Sequence, residues 1–392
     1  MDTIVIVGTA YPMRGAFAQL NAILFSNLIE TYNTIIFSFK RQYPKIFFPG
    51  KSQEEPGEEV IKVPKERNIA CIDSINPFNW MRIGFKISRL KPGLMIFRYW
   101  IPFFAPCFAS ISFIAKLFSN TKVLFICDNV IPHEKRFGDK LLTKLAFSQV
   151  DYFIIQSKTV EKDLTSLIKQ KKYKLSFHPL YNNYGDKVEK NTAREQLKKD
   201  YDLNLSGQRV ILFFGYVRKY KGLNFLIEAM PSILSKIDIK LIIVGEFYDD
   251  VDFYREQIKK LNIENNIILI SNFVPSEKVR YFISACDVVV LPYISATQSG
   301  IIQLAYFYDK PVIASDVGGL SEVVINNKTG FIVPPGSIQE LSRAIIQYYE
   351  EGLEDAFSEN VKQEKKKYEW NNFVKDIENL TGISEESDNK KA

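Results

Sequence analysis

Short unbroken apolar runs, each followed by a helical pattern, recur along the whole chain. They occupy residues 3–8 (TIVIVG), 33–39, 93–99, 122–128, 152–156 and 174–179, then 209–215 (RVILFFG), 240–246 (KLIIVGE), 266–272 (NIILISN), 288–291, 311–314 and 331–333. A strand with one wet face alternates apolar and polar residues. A strand that is apolar throughout is buried on both faces, which requires a parallel sheet covered by helices on each side. Helical periodicity near Gly15 and over 77–90, 102–117, 138–147 and 159–169 supplies covers for the first half. Helices from Leu223, Asp250, Ser276 and Thr297, and one over 338–349, do so for the second. The two series are separated at 181–206, a polar stretch without a core strand. The length of 392 residues also points to two cores. The pattern predicts an α/β chain of two Rossmann-like, doubly wound domains, 1–183 and 184–365, facing each other across a cleft. Residues 366–380 follow as an amphipathic helix and 381–392 as a mobile tail.

Composition narrows the function. The chain is 46% hydrophobic and 24% charged, and its 51 basic and 45 acidic residues are interspersed, so a net charge of +6 gives no footprint for nucleic acid. The basic stretches 169–174 (KQKKYK) and 362–367 (KQEKKK) read as solvated helix faces, with an anionic-lipid surface as the alternative. Cys71, Cys107, Cys127 and Cys286 sit in apolar surroundings without a C-x-x-C pair, as expected of buried thiols in a reducing cytoplasm. The chain opens on a strand rather than a signal peptide, so a cytoplasmic location is expected. The apolar, aromatic stretch 94–118 is interrupted by Arg98, Pro102, Pro106 and Lys116 and is too short to span a bilayer. It reads as strand plus helix, with peripheral contact with the cytoplasmic membrane face left open. The acidic stretch 49–59 reads as an exposed loop.

In doubly wound sheets ligands bind at the loops leaving the strand C-termini, and four such loops carry candidates. The first, 8–15, brings in Gly15. The second, 127–135 (CDNVIPHEK), places Asp128, Asn129, His133 and Glu134 where an acid, a base or a partner for a hydroxyl would stand; surface and capping roles are the alternative. His178 reads as structural. The third, 215–222 (GYVRKYKG), sets Arg218 and Lys221 behind Gly215, either as cations for a diphosphate or as an exposed basic turn. In the fourth, small polar residues between strand and helix leave the amides around Ser299, Gly300 and Ile301 for a phosphate, although any such sheet has helix N-termini. No metal is expected: Asp249, Asp250 and Asp252 open a helix, where acidic residues serve its dipole. Neither first-strand loop carries G-x-G-x-x-G, which argues against a dinucleotide-dependent dehydrogenase.

The succession GYVRKYKGL, IIVGE, CDVVVLPY, SATQSGIIQLAYFYDKPVIASDVGGLSEVV and TGFIVPPGS resembles family 4 of the retaining glycosyltransferases (glycosyl transferases group 1), closely over 209–337 and more weakly before it. The resemblance implies the GT-B fold, with an acceptor-side first domain, a donor-binding second domain, and the helix near Trp370 packing back on the first. It implies that Arg218 and Lys221 hold the donor diphosphate, although the family's arginine usually falls nearer the glycine, where this chain has Tyr216. The amides at Ser299, Gly300 and Ile301 would complete the phosphate cradle, and His133 would lie near the transferred sugar. The family's two glutamates, eight positions apart, are replaced by Thr297 and Ala305, so Gln298 or Gln303 would have to supply hydrogen bonds there. Glu322 matches a family position, with helix capping as its simplest role.

The expected activity is metal-independent transfer of a sugar, with retention, from a nucleotide-diphosphate sugar to a hydroxyl of a glycan or lipid-linked saccharide, as in polysaccharide biosynthesis. No further cofactor is expected. A nucleotide-sugar epimerase on the same fold and an inactive nucleotide-sugar or glycan-binding homologue are the alternatives.

Overall fold

The computed structural model describes residues 2–44, 53–55, 61–132 and 136–383. The chain divides into two compact units, one gathering the residues up to Pro179 and those from Glu369 onward, the other running from Leu180 to Tyr368. The two stretches of chain at which the second unit begins and ends lie side by side, Leu180 N donating to Tyr368 O at 2.9 Å.

The first unit is a parallel sheet of β1 (Thr3–Gly8), β2 (Asn33–Arg41), β3 (Asn68–Asp73), β4 (Leu94–Tyr99), β5 (Lys122–Cys127), β6 (Tyr152–Ile155) and β7 (Lys172–Leu175), ordered β3-β2-β1-β4-β5-β6-β7. Its connections are α1 (Ala16–Leu28), α2 (Pro77–Ser88), α3 (Ala105–Phe118), α4 (Asp139–Ser148) and α5 (Lys158–Leu167). One face of the sheet buries Val5, Phe37, Phe97 and Phe125 against Ile83 and Ile87 of α2, Phe108 and Ile111 of α3, and Phe147 of α4. The chain's last helix, Trp370–Thr381, packs on α1, β6 and β7, with Tyr32 donating to Glu378 at 2.7 Å.

The second unit opens with α6 (Lys190–Tyr201) and forms a parallel sheet ordered β10-β9-β8-β11-β12-β13. Its elements are β8 (Val210–Phe214), α7 (Leu223–Leu234), β9 (Lys240–Val244), α8 (Val251–Lys260), β10 (Ile267–Ile270), α9 (Ser276–Ala285), β11 (Val288–Leu291), α10 (Gly300–Phe307), β12 (Val312–Ser315), α11 (Leu320–Val323), β13 (Gly330–Val333), α12 (Ile338–Glu350) and α13 (Glu354–Glu364). Asp250 caps α8, its carboxylate accepting from Asp252 N at 3.0 Å. Both units are Rossmann-like, doubly wound parallel sheets.

Several details depart from the sequence expectation. The edge strand β3 was not anticipated, because NIACID is too short and too mixed to show a period. At the other edge, KQKKYK is not a helix face: α5 ends at Leu167 and Lys172–Leu175 is β7, whose lysines keep an exposed edge from pairing further. In KQEKKK, Lys362 pairs with Glu359, Lys365 with Asp309 and Lys367 with Glu364. The polar stretch 181–206 contains α6. Cys107, Cys127 and Cys286 are buried thiols, but Cys71 is partly exposed. Most of the 49–59 loop and residues 384–392 of the tail lie outside the described residues.

A charged side chain is enclosed in the first unit. Arg98, on β4, is 1% exposed and its Nη1 lies 3.0 Å from Asp128, itself 3% exposed, just past β5. His178 is also buried and donates Nδ1–H to Pro179 O at 2.8 Å. Burial, aided by the charge on Arg98, pushes its imidazole down to about 3. The unfolded chain takes up this proton near pH 6.5, while the folded chain resists it to about 3, so the neutral ring's contribution is complete at pH 7 and is lost as pH falls below 6.5. Urea unfolding at pH 7 and at about pH 5 should differ by about 2 kcal/mol from this group. His178→Gln should flatten that difference, and an equal slope in the variant would refute the assignment.

Candidate functional site

Strand order reverses between β1 and β4 in the first sheet and between β8 and β11 in the second. Loops leaving such strand pairs form the crevice of a doubly wound sheet. In the second unit the two loops are tied together. Ile294 N, after β11, donates to Tyr220 O, after β8, at 2.7 Å. Gly222 adopts φ +65°, and a Cβ there would lie 2.0 Å from Pro292 O, so only glycine permits this approach.

The Lys221 ammonium and the tip of the Ile301 side chain both lie beside Gly215. A Cβ placed on Gly215 would meet Lys221 Nζ at 3.4 Å and Ile301 Cδ1 at 3.4 Å, so the ammonium and the first side chain after Gly300 flank the same glycine turn. The ammonium also lies 5.4 Å from the centre of the Tyr293 ring. Burial, more than the neighbouring Arg218 charge, pushes the Lys221 pKa down, and no carboxylate among the described residues stands within ion-pair distance. Arg218 lies with its guanidinium 4.9 Å from the centre of the Tyr248 ring. Burial pushes the Tyr293 hydroxyl up to about 12.

α10 starts at Gly300 rather than at Thr297 because Thr297 O is taken by Gly319 N at 2.9 Å, which holds residues 297–299 out of the helix. Its N-cap, Ser299, makes no side-chain cap, and the Gly300 and Ile301 amides have no acceptor among the described residues. Uncapped N–H groups at the positive end of a helix, with a lysine ammonium in the same loop cluster, are groups that attract an anion. The Tyr181 ring covers Gly300, where an added Cβ would come within 2.6 Å of it. Gln298 stands in the same turn. Thr297 is buried, and Gln303 is buried inside the helix with its Oε1 lacking a hydrogen-bond partner. Ala305 is fully buried. Glu322 lies in the first turn of α11.

The first unit's candidates are less concentrated. Gly15, at φ +107°, starts α1 without a side-chain cap. Its loop is fastened by Arg14 N donating to Gln53 O and Glu55 N donating to Pro12 O. Asp128 is turned inward onto Arg98, while Asn129, the next residue, is half-buried. Trp100 is packed between Phe17 and Phe104 rather than presented as a stacking surface. His133 and Glu134 lie outside the described residues. Sequence reasoning missed Tyr181, Tyr248 and Tyr293. Only Tyr293 had a local signal, standing directly after an apolar strand.

Residues 194–367 match the family described as glycosyl transferases group 1. An uncharacterized glycosyltransferase of Methanocaldococcus jannaschii is 29% identical over 182 residues, 46% of each chain. The chain thus spans about half the length of the curated relatives it matches. Among solved structures, sucrose-phosphate synthase from Thermosynechococcus elongatus superimposes with a TM-score of 0.73 at 16% identity, over 100% of this chain and 99% of that one. Anabaena HepE, in complex with UDP and glucose, superimposes with a TM-score of 0.73 at 16% identity, over 99% of this chain and 100% of that one.

Proposed function

Since residues 194–367 fall within the glycosyl transferases group 1 family, we propose that the protein transfers a sugar from a nucleotide-diphosphate sugar to a hydroxyl of a glycan or lipid-linked saccharide. The observation that carries the reading is the convergence of the Lys221 ammonium, the Gly215 turn and the uncapped start of α10. In this reading Lys221, Arg218 and the Gly300 and Ile301 amides hold the diphosphate. As the glycosidic bond breaks, negative charge grows on the leaving phosphate, and fixed cations and amides stabilise it without reorganising. Metal-independent reaction with retention follows if that phosphate takes the acceptor proton on the face it leaves. Gln298 and Ser299 would line the donor side. The complex of HepE with UDP and glucose supports a UDP-sugar as the first donor to try.

A second reading, a nucleotide-sugar-binding homologue without turnover, is favoured by Thr297 and Ala305, neither of which can supply a carboxylate. Thermal unfolding with UDP, GDP, ADP and CMP separates the outcomes, because a ligand at about 100 times its Kd adds about 2.7 kcal/mol to the native state. One diphosphate should raise the Tm by several degrees, and no response to any of them would overturn the donor site. Stabilisation without release of that diphosphate from its sugar in the presence of glycan acceptors would favour the binding reading. Conversion of the donor with no acceptor present would point to the epimerase.

A further inference from the structure

We propose that the outer faces of α2, α3 and α4 form a surface that docks on an anionic phospholipid bilayer. These helices form one layer, α2 packing on α3 and α3 on α4. Their inner sides are already filled by the sheet core, through Ile83 and Ile87, Phe108 and Ile111, and Phe147. Amphipathic helices would turn polar residues outward. Here the outer side is apolar as well: Phe78 of α2 is 83% exposed, Leu141 of α4 73%, and Leu117 and Phe118 of α3 60% and 57%. The patch is continuous between α2 and α3, since the Phe85 and Phe118 rings meet edge to face at 5.5 Å. Gly84 allows this spacing, because a Cβ there would lie 2.7 Å from Ile114 Cβ. Single exposed apolar residues need no explanation, but a group of them on the outer side of three adjacent helices marks a contact surface.

Charge selects the partner. From residue 74 to residue 127 the chain contains no Asp or Glu and seven Lys or Arg. Arg82, Lys86 and Arg89 are exposed on α2 beside Met81 and Phe85, and Lys140 and Lys144 alternate with Leu141 and Leu145 on the exposed side of α4. The one acidic residue of α4, Asp139, is at its N-terminus and accepts from Arg136 N at 2.7 Å. Lys116 is already occupied by Asp151. Two copies of the chain joined through this face would bring cations against cations. A bilayer of anionic headgroups over acyl chains satisfies both halves of the surface, the rings and leucines entering the boundary region and the cations meeting the headgroups. Among the described residues no helix is long and apolar enough to cross a membrane, so the contact lies in the plane of the interface.

The surface is independent of the donor site, and its test does not require activity. The full chain is sedimented with vesicles of phosphatidylcholine alone and of phosphatidylcholine with phosphatidylglycerol, at physiological and at high salt. Binding should require phosphatidylglycerol and fall by about tenfold or more at high salt. Phe78→Glu/Leu141→Glu and, separately, Lys140→Glu/Lys144→Glu should each lower binding by about tenfold or more while leaving the Tm and the nucleotide-induced Tm rise unchanged. Absence of binding to either vesicle, or equal binding by wild type and both variants, overturns the proposal. A wild-type dimer in sedimentation velocity that Phe78→Glu/Leu141→Glu dissociates overturns it too, by assigning the face to a second copy.

Discussion

Lys221→Met is expected to lower kcat/KM for sugar transfer by about 10²–10³-fold, the range seen when one preorganised group is removed from a developing anion. Methionine keeps most of the lysine stem and its packing near Tyr293, so the change isolates the charge. The effect should appear in kcat as well as KM, because the charge on the leaving diphosphate is greater in the transition state than in the bound donor. A second readout separates this from misfolding. Burial pushes the Lys221 pKa down, so the unliganded fold holds the charged form unfavourably, and the variant should melt at the same temperature or higher. The Tm rise on adding the preferred diphosphate should shrink at the same time. A variant with full kcat/KM and an undiminished nucleotide response would remove Lys221 from the site.

Arg98→Met is expected to lower stability by about 3–5 kcal/mol, because it leaves the Asp128 carboxylate buried without its cation. Arg98 is imperfectly satisfied even in the native chain: its Nε and Nη2 are buried without a hydrogen-bond partner among the described residues. Replacing both members, as in Arg98→Met/Asp128→Leu, should therefore recover much of the loss, and urea unfolding of the two variants measures it. Removing the cation should also let His178 protonate at a higher pH, so the single variant loses stability less steeply on acidification. If the double variant is as damaged as the single one, the ion pair is contributing more than charge compensation.

The central strands were legible because burial on both faces leaves a local mark: β1, β4, β5, β8, β9 and β11 are all apolar runs. The edge strand β3 carries no such mark, and β7 was expected at 174–179 but lies at Lys172–Leu175, because its lysines read as part of a helix face. The motif GYVRKYKG marked the loop that carries Lys221, but the positions of Lys221 and α10 depend on contacts that no single segment encodes. One is the Thr297–Gly319 hydrogen bond that delays the helix to Gly300. Another is Gly245, whose added Cβ would lie 1.9 Å from Gly215 O, so two glycines thirty positions apart allow one approach of neighbouring strand ends. Tyr181 reaches Gly300 from well over a hundred residues away and gave no sign in the sequence. Arg98 was legible as an interruption in an apolar run, but its partner Asp128 was read as a candidate acid, base or hydroxyl partner in the 127–135 loop, and the buried ion pair joins two residues thirty positions apart.

The hydrogen bond from Leu180 to Tyr368 makes the second unit a cassette whose two ends leave at the same place. Such a segment can be lifted from one chain and set into another without rebuilding its termini, whereas the first unit is assembled from two stretches of chain that flank the second. Removing Trp370–Thr381 would therefore injure the unit whose strands lie far earlier in the sequence, by stripping that helix from α1, β6 and β7, rather than the unit it directly follows.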